Sequence, residues 1–423
     1  MRLRGRERAF HRFAPAEGLS TTMAAPPNRT RPSWSALPMF FDDAHRALGK
    51  DCDTALSDED IALHEPARVV PRLAELGLTK LLVPTSHGGG AWGNGGASVD
   101  VRALSVAREA IAYVSPLADS IFAVQGLGSH PILLAGEAAR RASVLAEVVA
   151  GERVCAFALT EPEAGSDVAS MRTTARREGD TWILDGEKVF ISNVGIAHHY
   201  IVFANADPSQ GKKGISAFLV DAKADGLTTE PIAMSVDHPL GRVGLHACKV
   251  PASALLGEVG HGLRLALGTL DVFRTSVGAA AVGMARRALD EAIARTTTRI
   301  QFGKPLAEFQ LTQAALADMA TELDAARLLV FRAAWEKDQP GADAAAARRA
   351  TATSVAMAKM YATEAAQRII DRAVQLFGGL GVTDRCVVDR LYREIRPLRI
   401  YEGTTEIQKL IIGGALVAPP PTK

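Results

Sequence analysis

From about residue 40 to residue 150 the apolar positions recur at helical spacing, with Val69, Leu73 and Leu76 on one face and Val144, Leu145, Val148 and Val149 on another. A glycine-rich stretch at 88–96 interrupts the series, which predicts a helical domain with one long loop. Between about 154 and 250 the period shortens to two. Thr181–Leu184 and Val189–Ile191 flank Asp185-Gly186 and read as a hairpin, and Tyr200–Phe203 and Ile215–Val220 read as further strands. From Gly262 onward the chain is Ala-rich with a long helical period, placing Leu316, Met319, Leu323, Ala326 and Val330 on one face. Such a stripe is the core of a bundle, not a cofactor site. Gln339-Pro340-Gly341 divides one helix from the next, and Pro419-Pro420-Pro421 stops the last one. The pattern predicts a mostly α chain with a central β domain: a disordered extension over 1–38, an N-terminal helical domain over 39–153, a middle β domain over 154–260, a C-terminal helical bundle over 261–416 and a tail over 417–423.

With 423 residues the chain is too long for one compact core, which agrees with two or three domains. Lys and Arg number 48 against 47 Asp and Glu, so the formal charge of +1 gives no support to nucleic acid or an anionic membrane as partner. The cysteines, Cys52, Cys155, Cys248 and Cys386, have no CxxC spacing and no His-rich surroundings; neither a metal site nor a disulfide framework is expected. No apolar run approaches the roughly 18 residues that cross a bilayer, so no stable membrane insertion is expected. Arg2, Arg4, Arg6, Arg8 and Arg12 suggest a transit peptide, but Glu7 and Glu17 interrupt it, and Met23 is an alternative start. The expected location is cytoplasmic, or the mitochondrial matrix if the Arg-rich N-terminus is a transit peptide.

The strongest chemical signal is Tyr401-Glu402-Gly403-Thr404-Thr405-Glu406-Ile407-Gln408. A lone carboxylate set against a glycine, after an apolar run and before a new helix, suits a buried general base. The bland alternative is a helix-start charge favoured by the dipole. Three further strings accompany it: Thr160-Glu161-Pro162-Glu163-Ala164-Gly165-Ser166-Asp167, then Arg299-Ile300-Gln301-Phe302-Gly303-Lys304-Pro305-Leu306, then Gln375-Leu376-Phe377-Gly378-Gly379-Leu380-Gly381. In this order and spacing the chain resembles acyl-CoA dehydrogenases, from roughly residue 36 to residue 416.

The resemblance implies a helical domain, a β domain and a four-helix bundle, with FAD as cofactor. No convincing GxGxxG stands at a strand-to-helix turn, which argues against a nicotinamide site. By the resemblance, Phe157, Leu159, Thr160, Gly165 and Ser166 line the flavin ring and ribityl chain, with Phe190 and Ser192 on its other side. Arg299, Phe302, Gln310, Gln375, Gly379, Thr404 and Glu406 hold the pyrophosphate and adenosine, some of them in a neighbouring subunit, which implies a homotetramer or homodimer. Glu402 is the base, and Tyr401 and Gly403 flank the thioester. Asp271 and Arg274 touch the pantetheine, unless they are only a helix-surface pair at i, i+3, and Ser166 contacts substrate as well. Residues 120–128 and 279–283 are the candidate pocket floor.

The implied reaction is α,β-dehydrogenation of an acyl-CoA thioester to a trans-2-enoyl-CoA, with electrons passed to an electron-transfer flavoprotein. The rivals are an acyl-CoA oxidase or flavin monooxygenase on the same fold, or a non-catalytic acyl-CoA-binding homologue. Three departures stand out: Phe273 occupies an alternative base position, Glu394 replaces a usual Asp, and the hairpin at 235–246 is short. His238 and His246 read as surface or packing histidines.

Overall fold

The computed structural model describes residues 29–417 except 342–344 and 385, with side chains left undescribed at 345–347. The candidate transit segment and Met23, and the tail from 418, lie outside the described residues. Residues 29–38, expected in a disordered extension, are folded: helix α1 spans Ser33–Ala36, Thr30 N donates to Asp290 Oδ1 at 2.8 Å, and Ser33 N donates to Glu109 Oε1 at 3.1 Å. Composition missed this because few apolar side chains are involved, Leu37 in the core with Trp34 and Ala36 against it, and backbone amides do the rest.

The N-terminal helices continue as α2 (Asp43–Ala55), α3 (Pro66–Glu75), α4 (Val101–Val114), α5 (Pro116–Ala135) and α6 (Ala138–Ala150). Asp100 and Ser115 cap α4 and α5 by accepting from Ala103 N and Ala118 N. The middle domain is an eight-stranded sheet in the order β6 (Leu227–Pro231), β7 (Leu240–Pro251), β3 (Thr181–Ser192), β2 (Thr174–Glu178), β4 (His199–Asn205), β5 (Ile215–Asp221) and β8 (Leu255–Leu256), with β1 (Cys155–Ala158) parallel to β4. The bundle comprises α7 (Gly262–Thr298), α8 (Gln310–Lys337), α9 (Ala345–Phe377), α10 (Val387–Glu394) and α11 (Thr405–Val417), with a ribbon of β9 (Ile300–Gln301) and β10 (Lys304–Pro305) after α7.

The expected hairpin at Asp185-Gly186 is not a reversal. Residues 181–192 form one strand, and its register against β7 shifts between Leu184 and Gly186, a bulge. Gly186 has φ +149°, and a Cβ there would lie 2.5 Å from Thr173 Oγ1, so the glycine serves a close approach rather than a turn. Asp185 Oδ1 accepts from Ala247 N at 2.7 Å, pinning the bulge to β7. The same dipeptide favours bulge and turn alike, and only the partner strands decide between them.

Helix α7 is long and apolar enough to cross a membrane by length and composition, although charged residues interrupt its apolar run. It is instead the bundle's central helix, with 67% of that stretch buried. Its small residues permit this: a Cβ at Gly283 would meet the Glu109 carbonyl oxygen of α4 at 2.2 Å. One apolar core therefore runs from the N-terminal helices through α7, α8 and α9, while α5, α6 and α7 also pack on the sheet.

Candidate active site

A 3-10 turn over Arg396–Arg399 and a bend over 401–403 join α10 to α11, and Glu402 sits in that bend. Its φ is +53° and that of Gly403 is +90°. A side chain in the left-handed region costs about 1–3 kcal/mol, so such a residue persists only where its surroundings hold it. Here the Glu402 carbonyl accepts from Arg274 Nε at 2.9 Å and from Gln408 Nε2 at 3.4 Å, and the Gly403 carbonyl accepts from Lys359 Nζ at 2.8 Å and Gln408 Nε2 at 3.0 Å. Glu364 on α9 ties both flanks, accepting from Arg399 Nε at 2.8 Å and Thr405 Oγ1 at 2.7 Å. Glu402 is not the start of a helix; that role falls to Thr404, whose Oγ1 accepts from Ile407 N at 3.3 Å.

Glu402 Oε2 is buried with no hydrogen-bond partner. Burial raises the carboxyl's pKa above the usual range, against the opposing charges of Arg108, Arg274 and Lys359. Arg108 is fully buried, bonded to Asp119 through Nε at 2.8 Å and Nη2 at 2.7 Å, and to Ser276 Oγ through Nη1 at 2.9 Å. Phe273, in the alternative base position, is 0% exposed and packs edge-on to His130 at 5.6 Å. A Cβ at Gly126 would lie 2.2 Å from the Phe273 ring, so this part of α5 and α7 is filled.

Of the proposed substrate residues, Tyr401, Gly403 and Arg274 gather with Glu402. Asp271 and Arg274 are not partners of each other: Asp271 Oδ2 accepts from Lys337 Nζ at 2.5 Å while Arg274 reaches Glu402. The spacing i, i+3 is met on α7, but Lys337 of α8 and the Glu402 turn offer the two side chains better partners.

The proposed flavin residues assemble where the segment after β1 meets β3. Val189 N donates to the Thr160 carbonyl at 2.9 Å, bringing the segment from Phe157 through Leu159, Gly165 and Ser166 beside Phe190 and Ser192. Phe190 combines φ +57° with 62% exposure, an aromatic face held in a strained conformation toward solvent. A Cβ at Gly165 would meet nothing within 4 Å, leaving open room beside the loop. Both features fit a large flat ligand. Gly128 of α5 packs on this segment, its virtual Cβ 2.6 Å from Cys155 Cβ, so one helix connects β1 with Phe273 and hence with Arg274 and Glu402.

Arg299, Phe302, Gln310, Gln375 and Gly379 are all exposed at one end of the bundle, where Arg295 of α7 lies over the Phe377 ring of α9 at 5.8 Å. Phe302 is 93% exposed with φ +50°. Thr404 and Glu406 instead lie next to Glu402, with Glu406 exposed on α11.

Several residues escaped the sequence reading. Lys188, 0% exposed, donates from Nζ to Glu161 Oε1 at 2.7 Å and to the Leu159 carbonyl at 3.2 Å. Burial raises the Glu161 carboxyl, but Lys188 and the amides of Arg172 and Thr173 outweigh it and hold the group below its usual range. Glu161 thus anchors the loop that follows β1. His238, expected at the surface or in packing, is packed: its Nε2 lies 2.8 Å from Ser192 Oγ and burial lowers its pKa to about 4. His246 is exposed. Lys359 and Gln408 look like ordinary helix residues in sequence, and no local signal marks them.

The Glu402 carboxylate is thus buried among charged side chains of α4, α5, α7 and α9, in a chain that joins a helical domain, a sheet with an exposed aromatic side chain and an Ala-rich bundle. Three domain signatures match in order: acyl-CoA dehydrogenase, N-terminal domain over residues 38–152, middle domain over 156–249, and C-terminal domain over 260–417. The chain belongs to the acyl-CoA dehydrogenase family. It is 38% identical over 360 residues to the human mitochondrial short-chain specific acyl-CoA dehydrogenase, covering 83% of each chain. It is 36% identical over 396 residues to the caffeyl-CoA reductase-Etf complex subunit CarC of Acetobacterium woodii, covering 90% of this chain and 100% of that one. The solved butyryl-CoA dehydrogenase of Megasphaera elsdenii superimposes with a TM-score of 0.80 at 33% identity, covering 89% of this chain and 99% of that one.

Proposed function

We propose that this protein removes hydrogen from Cα and Cβ of an acyl-CoA thioester, giving a trans-2-enoyl-CoA, and passes the electrons to an electron-transfer flavoprotein. The observation that carries the reading is Glu402 Oε2, buried and without a partner on a turn held by three side chains. A desolvated carboxylate with a free lone pair can take a weakly acidic α proton, and its raised pKa brings it nearer the working pH. FAD, when bound, supplies the acceptor for the β hydride, which no side chain can. The loop of Thr160, Gly165 and Ser166 and the platform of Phe190 and Ser192 would hold its ring, with Glu161 and Lys188 fixing the loop.

Arg299, Phe302, Gln310, Gln375 and Gly379 would grip the dinucleotide half of a neighbouring subunit's cofactor, since all stand exposed at the bundle's end. A homotetramer is the assembly that brings them into use. The acceptor is taken from the Acetobacterium relative, whose name places it in a complex with Etf.

Anaerobic mixing of the purified yellow protein with short, long, branched and cyclic acyl-CoA thioesters tests the reaction, and flavin bleaching with one class is expected. Glu402→Gln should keep its flavin and lose about 10²–10⁴-fold in bleaching rate. Full activity in that variant removes the base assignment, and peroxide release in air would replace the flavoprotein acceptor with oxygen.

A further inference from the structure

We propose that Lys359 is the positioning residue of the catalytic base, clamping the left-handed Glu402-Gly403 turn so that the carboxylate stays aimed into the site. This rests on the reading of Glu402 as base. Lys359 lies on α9, 0% exposed, and its Nζ donates to the Gly403 carbonyl at 2.8 Å. Two consecutive carbonyls, of Glu402 and Gly403, receive side-chain donors from three different helices: Arg274 of α7, Lys359 of α9 and Gln408 of α11. Backbone groups in a tight bend usually find backbone partners or water; here the partners are two cations brought from far along the chain and the nearby Gln408 amide. Gly403 cannot readily be replaced, since a Cβ there would lie 2.5 Å from Gln408 Nε2 and its φ is +90°.

A buried ammonium is costly to keep, and an apolar residue of similar length would fill the same space. What Lys359 adds is the bond to the turn and a positive charge near Glu402. Without the bond, the strain at Glu402 would relax by rotation of the peptide toward negative φ, which re-aims the side chain; a shift of about 1 Å at a reacting group costs on the order of 10²-fold in rate.

The charged groups around Lys359 are Glu402 from the turn, Arg274 from α7, Glu364 on α9 itself and Glu406 from α11. Burial lowers its pKa to about 8, opposed by the carboxylates and assisted by Arg274. As pH rises through about 8 the ammonium therefore loses its charge, the carboxylate loses a favourable neighbour and the clamp weakens. An alkaline limb in proton removal should fall there.

The test uses the holoenzyme and an acyl-CoA with sulfur in place of carbon three. That thioester has no β hydrogen to give up, so exchange of its α hydrogens with deuterated water, followed by NMR, reports the base without turnover of the flavin. Lys359→Met should retain flavin and slow exchange by about 10- to 100-fold, with little change in ligand affinity. Lys359→Arg keeps a permanent cation and should restore much of the rate while moving the alkaline limb well above pH 8. Glu402→Gln, run in parallel, should abolish exchange. If it does not, the reading of the base fails. If it does, while Lys359→Met exchanges at the wild-type rate with the wild-type pH profile, the clamp is refuted and the base stands. Should Lys359→Met prove insoluble, an unmoved alkaline limb in Lys359→Arg overturns the proposal on its own.

Discussion

Glu394, near Arg390 and facing Asp237, shows how burial of one side chain changes the behaviour of the whole fold. Its Oε2 is buried without a hydrogen bond, and desolvation first, then Asp237, pushes the carboxyl up to about 7 against the pull of Arg390. The unfolded value is near 4.5. Between pH 4.5 and 7 the folded chain therefore holds a proton that the unfolded chain has released. The stabilisation is fully present below 4.5 and is lost as pH rises through 7, on the order of 3 kcal/mol across that window. Asp338, raised by burial and by its neighbour Asp100, adds a slope of the same sign, opposed by Asp100, whose carboxyl is held below its usual range. Glu394→Gln should flatten the difference between urea midpoints at pH 5 and pH 8 without abolishing it; a difference equal to that of the wild type would contradict this account. The usual Asp at this position gave the change a mild look in sequence, because nothing local reports that α10 buries its last carboxylate.

Helix α5 is the element on which the relation between domains depends. It touches β1 through Gly128 and Phe273 of α7 through Gly126, so one helix links the strand that leads into the 157–166 segment with the helix that carries Arg274. Leucine- or valine-sized side chains at Gly128 would force β1 away: the virtual Cβ already lies 2.6 Å from Cys155 Cβ and 2.9 Å from Ala156 N. Gly128→Val is expected to cost about 1–3 kcal/mol and to weaken flavin retention, read as a lower thermal midpoint and faster release of the yellow colour on dilution. Unchanged retention would show that α5 does not set the spacing. At this scale the sequence was most readable for α8, where Met319, Leu323, Ala326 and Val330 are buried as the periodicity requires. It was least readable for β3, where Asp185-Gly186 bends a strand and does not end it.

For the molecule as a whole, one apolar core joins the N-terminal helices to the bundle, yet the single chain leaves much apolar surface uncovered. Phe302, Leu311, Val382 and Leu410 are 93%, 87%, 68% and 70% exposed. Phe302 lies edge-on to Phe309, just before the exposed Leu311 of α8, and exposed apolar side chains gathered in this way mark an interface. Phe302 is also held at φ +50°, strain that an isolated loop would shed. Phe302→Asp should shift the protein toward smaller species in sedimentation velocity and lower its flavin content, because the same end of the bundle carries Arg299, Gln310 and Gln375. A wild-type sedimentation profile with full flavin would remove both the interface and the shared cofactor site.

Periodicity by itself determined that helices flank a sheet, because the spacing of buried positions follows from helix and strand geometry alone. The four motifs by themselves determined the family and singled out Glu402, since each is a local string whose residue types already carry its chemistry. The order of residues 29–38, the bulge at Gly186, the burial of α7, the Glu161–Lys188 anchor and the convergence of Arg274, Lys359 and Gln408 on one turn were decided only by the tertiary structure. Each joins residues distant in sequence or rests on backbone groups that every residue shares, and hydrogen bonds of that kind leave no pattern along the chain.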